Sequence, residues 1–399
     1  VTDQPIRWGR ILTIALAGVV SHTFGRTSLA VLIPAMDDDL GLSGTVTGAL
    51  GSVNLGSYLV GVIIVTFLAG RVEPFTLLRS GILVVASGLF VLGTASGTPQ
   101  VVCGAALAGS GGAGIWLTTP LLASEGVPPH RRGAVMATLT ATMGAIFVFV
   151  PVAATAIREI ADDGGVWRQL WLIEGVCSLL LLALLWWRVT PESTTPIEGA
   201  FAFRSLTQLR GWRPAVGMYM SFAFVAASFS LFAGRAFEND HGFSRNHATL
   251  LLSVLGLGSL VGALIFGRLS DHYGRPRVMT IAMAITSGTG LLMLAGAEPW
   301  AAVAMFVYGA TSFAYPVLTA TFVRDQVDQR EFTGVFGAMT IFYGPASIAG
   351  PAVSGTLADR TGDHAATYLV LAGVAALAAV FASRLPRVDH AAGTQTPRA

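Results

Sequence analysis

Long apolar runs alternate with short polar breaks along the whole chain. Hydropathy, charge and the Pro/Gly breaks together predict twelve helical spans, at 11–36, 46–69, 75–95, 99–123, 133–157, 168–187, 214–237, 247–267, 277–296, 299–322, 333–357 and 365–383. A helix needs about 20 apolar residues to cross a hydrocarbon core. The first run, 11–36, follows a short basic stretch and is too long for the core of a removable signal peptide, so it is expected to be the first membrane helix. An even number of spans puts both ends on one side.

Composition supports a lipid-facing surface. Of 399 residues, 53% are hydrophobic and 12% charged, against about 25% charged in an ordinary soluble domain. The net charge of +2 argues against a nucleic-acid partner. Every basic residue is arginine, and the arginines are unevenly placed. With a cytoplasmic N-terminus, 18 fall in cytoplasmic segments and four (Arg158, Arg168, Arg245, Arg360) on the other side. That asymmetry is what the positive-inside rule requires. Cys103 and Cys177 both sit in apolar stretches and read as free thiols. The Gly-rich segments lack the strand before and the Lys-Ser/Thr after that a phosphate cradle needs. No metal, cofactor or catalytic constellation is expected, and the chain reads as a non-enzyme.

The hydrophilic stretch around Pro191, Glu192 and Pro196 divides the chain into 1–188 and 213–399, with 189–212 as a cytoplasmic linker. The halves match at a shift of 201 positions. Gly41-Leu-Ser43 falls on Gly242-Phe-Ser244, Leu59-Val-Gly61 on Leu260-Val-Gly262, and Gly133 on Gly334. Parallel six-helix repeats are one recurring transporter architecture.

The loop after the eighth span reads Gly267, Asp271, Gly274, Arg275, with Arg277 following. This spacing resembles the loop signature of the major facilitator superfamily (MFS). The resemblance implies an all-α integral membrane fold of twelve transmembrane helices in two pseudo-symmetric six-helix bundles. It also implies that Asp271, Gly274 and Arg275 help latch the halves on the cytoplasmic side. The equivalent first-half loop is eroded: Thr66, Gly70 and Glu73-Pro74 occupy the matching positions. Arg26 to Met36, with Asp39 to Ser43 after it, is similar to the first span and loop of small-anion carriers in that superfamily. Gly165 to Gly175 is similar to the start of their sixth span. Gly25 stands where those symporters usually carry an acid, and Gly-Arg here resembles a bacterial subgroup. The fifth span lacks the Gly-Pro pair of drug antiporters, although Gly344-Pro345 occurs in the eleventh.

Arg26 is the most informative single residue. It lies about 24 Å along the helix from Arg10 and about 16 Å from Asp37. A charge at such depth costs at least about 2.5–3.5 kcal/mol and calls for a partner. One reading is an anionic substrate gripped by the guanidinium fork. The other is a structural arginine bonded to carbonyls or to Glu174. His22, one turn earlier on the same face, is a candidate proton acceptor or a packing residue. Glu174, about 10 Å deep in the sixth span, is a candidate proton carrier or a bundle-holding group. Arg235 reads as an outer-gate residue or one snorkelling toward Glu238 and Asp240. Three polar stripes are candidate cavity linings: Tyr308, Ser312 and Tyr315; Thr340, Tyr343 and Ser347; Asn54 and Tyr58. Trp116 follows the Gly-rich run 109–114. The expected function is proton-coupled uptake of a small organic anion by a monomer in the bacterial inner membrane. Export of amphipathic compounds by proton antiport is the alternative.

Overall fold

The structure is a computed structural model. It describes residues 7–68, 71–127, 132–160, 165–190, 202–296, 298–327 and 329–386, excepting the side chains at 132–134, 137, 160, 263, 264, 267, 271, 317 and 329–333. The long helices, in order, are α1 (Trp8–Leu40), α2 (Gly44–Leu68), α3 (Pro74–Gly93), α4 (Thr98–Ala123), α5 (Arg132–Ile160), α6 (Val166–Arg188), α7 (Trp212–Asp240), α8 (Arg245–Tyr273), α9 (Arg275–Leu292), α10 (Trp300–Arg324), α11 (Gln329–Thr361) and α12 (Ala365–Ser383). The fold is all-α and multi-pass. Among the described residues, nine helices are long and apolar enough to cross a membrane, not the expected twelve. The three left out are α8, α9 and α11. Of these, α8 and α11 include residues outside the described set, and α9 carries Arg275 and Arg277 in its first turn.

Helix ends follow local chemistry. α1 and α7 each contain a π-turn, Leu16–Val20 and Ala236–Asp240. Both helices are followed by a left-handed glycine, Gly41 (φ 64°) and Gly242 (φ 70°), whose N–H groups bond back to the carbonyls of Asp37 and Glu238. A side chain would resist that conformation. These two glycines are a pair matched by the sequence repeat, and they do the same job.

Packing repeats in the same way. α4 lies against α2 and α3, and α3 against α6; α10 lies against α8 and α9, and α9 against α12. Contacts between 1–188 and 213–386 run through α2 with α11, α5 with α8, and α1 with α7. Glycines make the first two approaches close. A Cβ at Gly48 would fall 2.3 Å from the Pro351 carbonyl oxygen, and one at Gly355 would fall 2.1 Å from that of Gly44. A Cβ at Gly256 would fall 2.8 Å from the Phe147 carbonyl carbon. Small residues let backbones meet in this way without a hydrophobic drive between helices.

Within the linker expected at 189–212, the residues 191–201 lie outside the described residues. A short helix, Phe203–Gln208, buries Leu206, and the Ala202 N–H bonds to the Gly334 carbonyl at 3.0 Å. Leu206 and Leu209, one turn apart, dock this piece on the second half. That apolar pair is easy to pass over in a segment dominated by arginine and proline.

Gly355→Val forces a side chain into backbone and is expected to destabilise by about 1–3 kcal/mol. Gly373→Val, where a Cβ meets nothing within 4 Å, is the control. Thermal unfolding in detergent should show a lower Tm for the first and none for the second; equal Tm values would refute the close contact.

Candidate functional site

Four of the predicted residues come together from three helices. The His22 ring, 4% exposed, stacks on Trp116 of α4 with centroids 5.2 Å apart and planes at 24°. It also meets the Tyr58 ring of α2 at 6.1 Å. Gly112 makes room for it, since a Cβ there would lie 3.0 Å from His22 Nδ1. One turn along α1, the Arg26 guanidinium lies 5.2 Å from the Tyr58 ring centre. A cation over an aromatic face is attracted, by about 2 kcal/mol or more where water is excluded. Among the described residues Arg26 is half-buried and has no carboxylate or hydrogen-bond partner. Tyr343 of α11 lies within electrostatic reach of both Arg26 and Tyr58, so the other half of the chain brings one residue near the charge. Behind Tyr343 stand Tyr219 at 4.9 Å and Phe222 at 6.4 Å, both on α7. The sequence reading missed these two, because aromatic residues in an apolar run carry no directional signal.

Several candidates sit elsewhere. Asn54 is buried, and its Nδ2 donates to the carbonyls of Gly25 (3.1 Å) and Ala105 (3.0 Å). It ties α2 to α1 and α4. Tyr308 is 2% exposed and lies flat on Phe229, with centroids 3.7 Å apart. Tyr315 is fully buried against Phe222 at 4.8 Å. Ser312 is buried on the same helix. The α10 stripe is therefore a packing face, whose hydroxyls the spacing alone cannot distinguish from a lining. Glu174 does not pair with Arg26. Its Oε1 accepts from Ser28 of α1 at 2.5 Å, and its buried Oε2 has no described hydrogen-bond partner.

A family model described as "Uncharacterised MFS-type transporter YbfB" matches residues 19–383. The chain belongs to the major facilitator superfamily. It is a membrane transporter and not an enzyme. The chain is 24% identical to the hexuronate transporter of Bacillus subtilis, over 96% of each chain. In fold it is similar to a D-xylose–proton symporter (TM-score 0.77, 17% identity, 96% of this chain and 99% of that one). It is also similar to a bacterial homologue of the human lysosomal transporter Spinster in an inward-facing, occupied conformation (TM-score 0.76, 15% identity, 98% and 100%).

In this facilitator, several of the described polar contacts between 1–188 and 213–386 lie where α1 ends and α2 begins, with others from Arg158 to Asn246 and Thr249 and from Ser52 to the Ile348 carbonyl. Three successive carboxylates at the end of α1 each take a different arginine: Asp37 pairs with Arg235 of α7 and Asp38 with Arg245 of α8, across the halves, and Asp39 pairs with Arg168 of α6 (2.6 Å) within the first half. Arg235 is 5% exposed and also donates to the Leu42 carbonyl at 2.7 Å. It thus reaches across to α1, not to Glu238 or Asp240 on its own helix; Glu238 instead pairs with Arg245 at 3.0 Å. From α11, the Asp359 carboxylate accepts the Gly44 and Thr45 N–H groups, each at 2.7 Å, and the Thr45 hydroxyl. A carboxylate is well placed at a helix N-terminus. At the opposite end, Arg275 pairs with Asp325 at 3.4 Å and bonds Ser270, both within 213–386. Both of these partners belong to the same half as Arg275. Gly274, at φ +87°, makes the turn from α8 to α9. The Asp271 side chain lies outside the described residues.

Removing one member of a buried ion pair costs about 3–5 kcal/mol, and less where the other can reach water. Arg235→Gln should therefore widen this end. Spin labels at the adjoining ends of α2 and α11 should report a population with longer separations than in the parent. An unchanged distance distribution would show that the pair does not hold the end shut.

Proposed function

We propose that the protein takes up a small organic anion together with a proton, using Arg26 as the anion site. The observation carrying this reading is a half-buried guanidinium, deep in α1, with no counter-charge among the described residues. Intramembrane charges need a partner, and a substrate carboxylate would supply one through two parallel hydrogen bonds. Tyr58, Trp116 and Tyr343 would line the cavity, with His22 or Glu174 carrying the proton. The curated relative named as a hexuronate transporter and the structure named as a proton symporter are consistent with this chemistry.

The architecture that goes with this reading is twelve spans in two six-helix bundles, 1–188 and 213–399, with both termini cytoplasmic. The repeated packing pairs, the matched glycines and the arginine asymmetry support it. The clustered ion pairs where α1 meets α2 then form a closed outer gate, and the halves rock about the Arg26 level. The protein would act as a monomer in the bacterial inner membrane. Trp116, 38% exposed beside other aromatic rings, also suits an exporter of amphipathic compounds, in which Arg26 would be structural.

Proteoliposomes separate the two readings. The account expects labelled carboxylates, lactate and galacturonate among them, to enter faster under an inward proton gradient. Loss of a charge-assisted pair should lower Arg26→Ala uptake at limiting substrate roughly 10- to 100-fold, with Arg26→Lys in between. Glu174→Gln should still exchange anion but lose gradient-driven accumulation if Glu174 is the carrier; His22→Gln should do so if His22 is. Undiminished anion uptake by Arg26→Ala would sink the anion site, and outward movement of amphipathic dyes without acid uptake would favour the exporter.

A further inference from the structure

Another guanidinium with no carboxylate among the described residues, Arg79, stands where α3 begins and α6 ends. Arg10 and Arg79 each lie 5.7 Å from the centre of the Phe75 ring. Arg10 is neutralised by Glu125 at 2.5 Å and also donates to the Leu122 carbonyl. Arg79 has no such partner. Among the described residues it makes no ion pair or hydrogen bond, and its Nε is buried without a partner. Its guanidinium lies 4.4 Å from the centre of the Trp186 ring, at the last turn of α6. Next along that helix, Arg188 lies 4.8 Å from the Trp187 ring. Trp186 and Trp187 are 64% and 76% exposed.

Beside these two arginines, Leu179, Leu182, Ala183, Trp186 and Trp187 form an open apolar face along α6. The face runs back along the helix from the guanidiniums. That order of charge and then apolar surface suits a phospholipid, with an anionic headgroup at one end and an acyl chain along the rest. Two aromatic rings at the junction match the preference of tryptophan for the headgroup level. Arginine pairs with phosphate oxygens through its planar fork, and basic pockets between membrane helices hold anionic headgroups.

We propose that this face binds one anionic phospholipid, its phosphate held by Arg79 and Arg188 and one acyl chain lying over Leu179, Leu182 and Ala183. None of these residues belongs to the Arg26 site. It accounts for why Arg79 is left without a carboxylate while its neighbour across the same ring has one.

The test uses full-length protein released from phosphatidylglycerol or phosphatidylcholine nanodiscs, with bound lipid counted by native mass spectrometry and Tm measured in parallel. One phosphatidylglycerol should stay bound and raise Tm, where phosphatidylcholine does neither. Arg79→Gln and Arg188→Gln should each weaken that binding roughly fivefold, and Arg79→Lys should retain part of it. Glycerol phosphate, which has the headgroup chemistry but no chain, should leave Tm unchanged. Equal retention of the two lipids, equal retention by both glutamine variants and the parent, or a Tm rise with glycerol phosphate alone would each overturn the proposal.

Discussion

A guanidinium inside a membrane has to be neutralised by something, and for Arg26 no carboxylate among the described residues supplies it. Arg26 is carried on α1, the most enclosed of the apolar helices. It sits over Tyr58 but meets no carboxylate. Glu174, an acid inside α6, accepts from Ser28 through Oε1. A site assembled around an unmet charge favours an anion by electrostatics before any shape is considered, and water exclusion strengthens that preference. The surrounding helices serve to hold this charge in place: Asn54 pins α2 to α1 and α4, and Gly112 admits the His22 ring beneath Trp116.

The carboxylates are placed with the opposite logic. Asp37, Asp38 and Asp39 follow one another at the end of α1, so their side chains fan around the helix by about 100° each. Three arginines on three other helices meet them, two of these from the second half, and Asp359 closes the same end by capping α2. Charge pairs exposed to water are individually weak, but Arg235 is not exposed. An end held by a few partly hydrated pairs and by glycine-to-backbone contact can be firm when closed and still separable. That is the property an alternating-access protein needs at the end that must open.

The periodicity and the repeat were enough to read off the helices, and one side-chain fact was equally clear: an arginine in an apolar run stands out. The Gly41 and Gly242 match was legible because both positions need the same left-handed backbone. What the sequence hid was direction. Asn54 and Tyr58 share a stripe, yet one is spent on backbone carbonyls of two other helices and the other faces the charge. Tyr308 and Tyr343 are both aromatic hydroxyls at helical spacing, yet one lies flat on Phe229 and the other approaches Arg26. Arg235 has acids three and five residues ahead, and local spacing favoured those over Asp37, almost two hundred positions away. Partners contributed by another helix cannot be inferred from neighbours along the chain.

Trp116 offers the most direct view of the central claim, because it stacks on His22 one turn from Arg26. Tryptophan fluorescence of the purified protein would be titrated with lactate and galacturonate and, in parallel, with their neutral primary amides. The Trp116→Phe protein identifies the part of the signal that comes from the site. The account predicts a saturable change with the carboxylates that is absent with the amides and in Arg26→Ala. An equal response to the neutral amides, or an undiminished response in Arg26→Ala, would contradict an anion site built on Arg26.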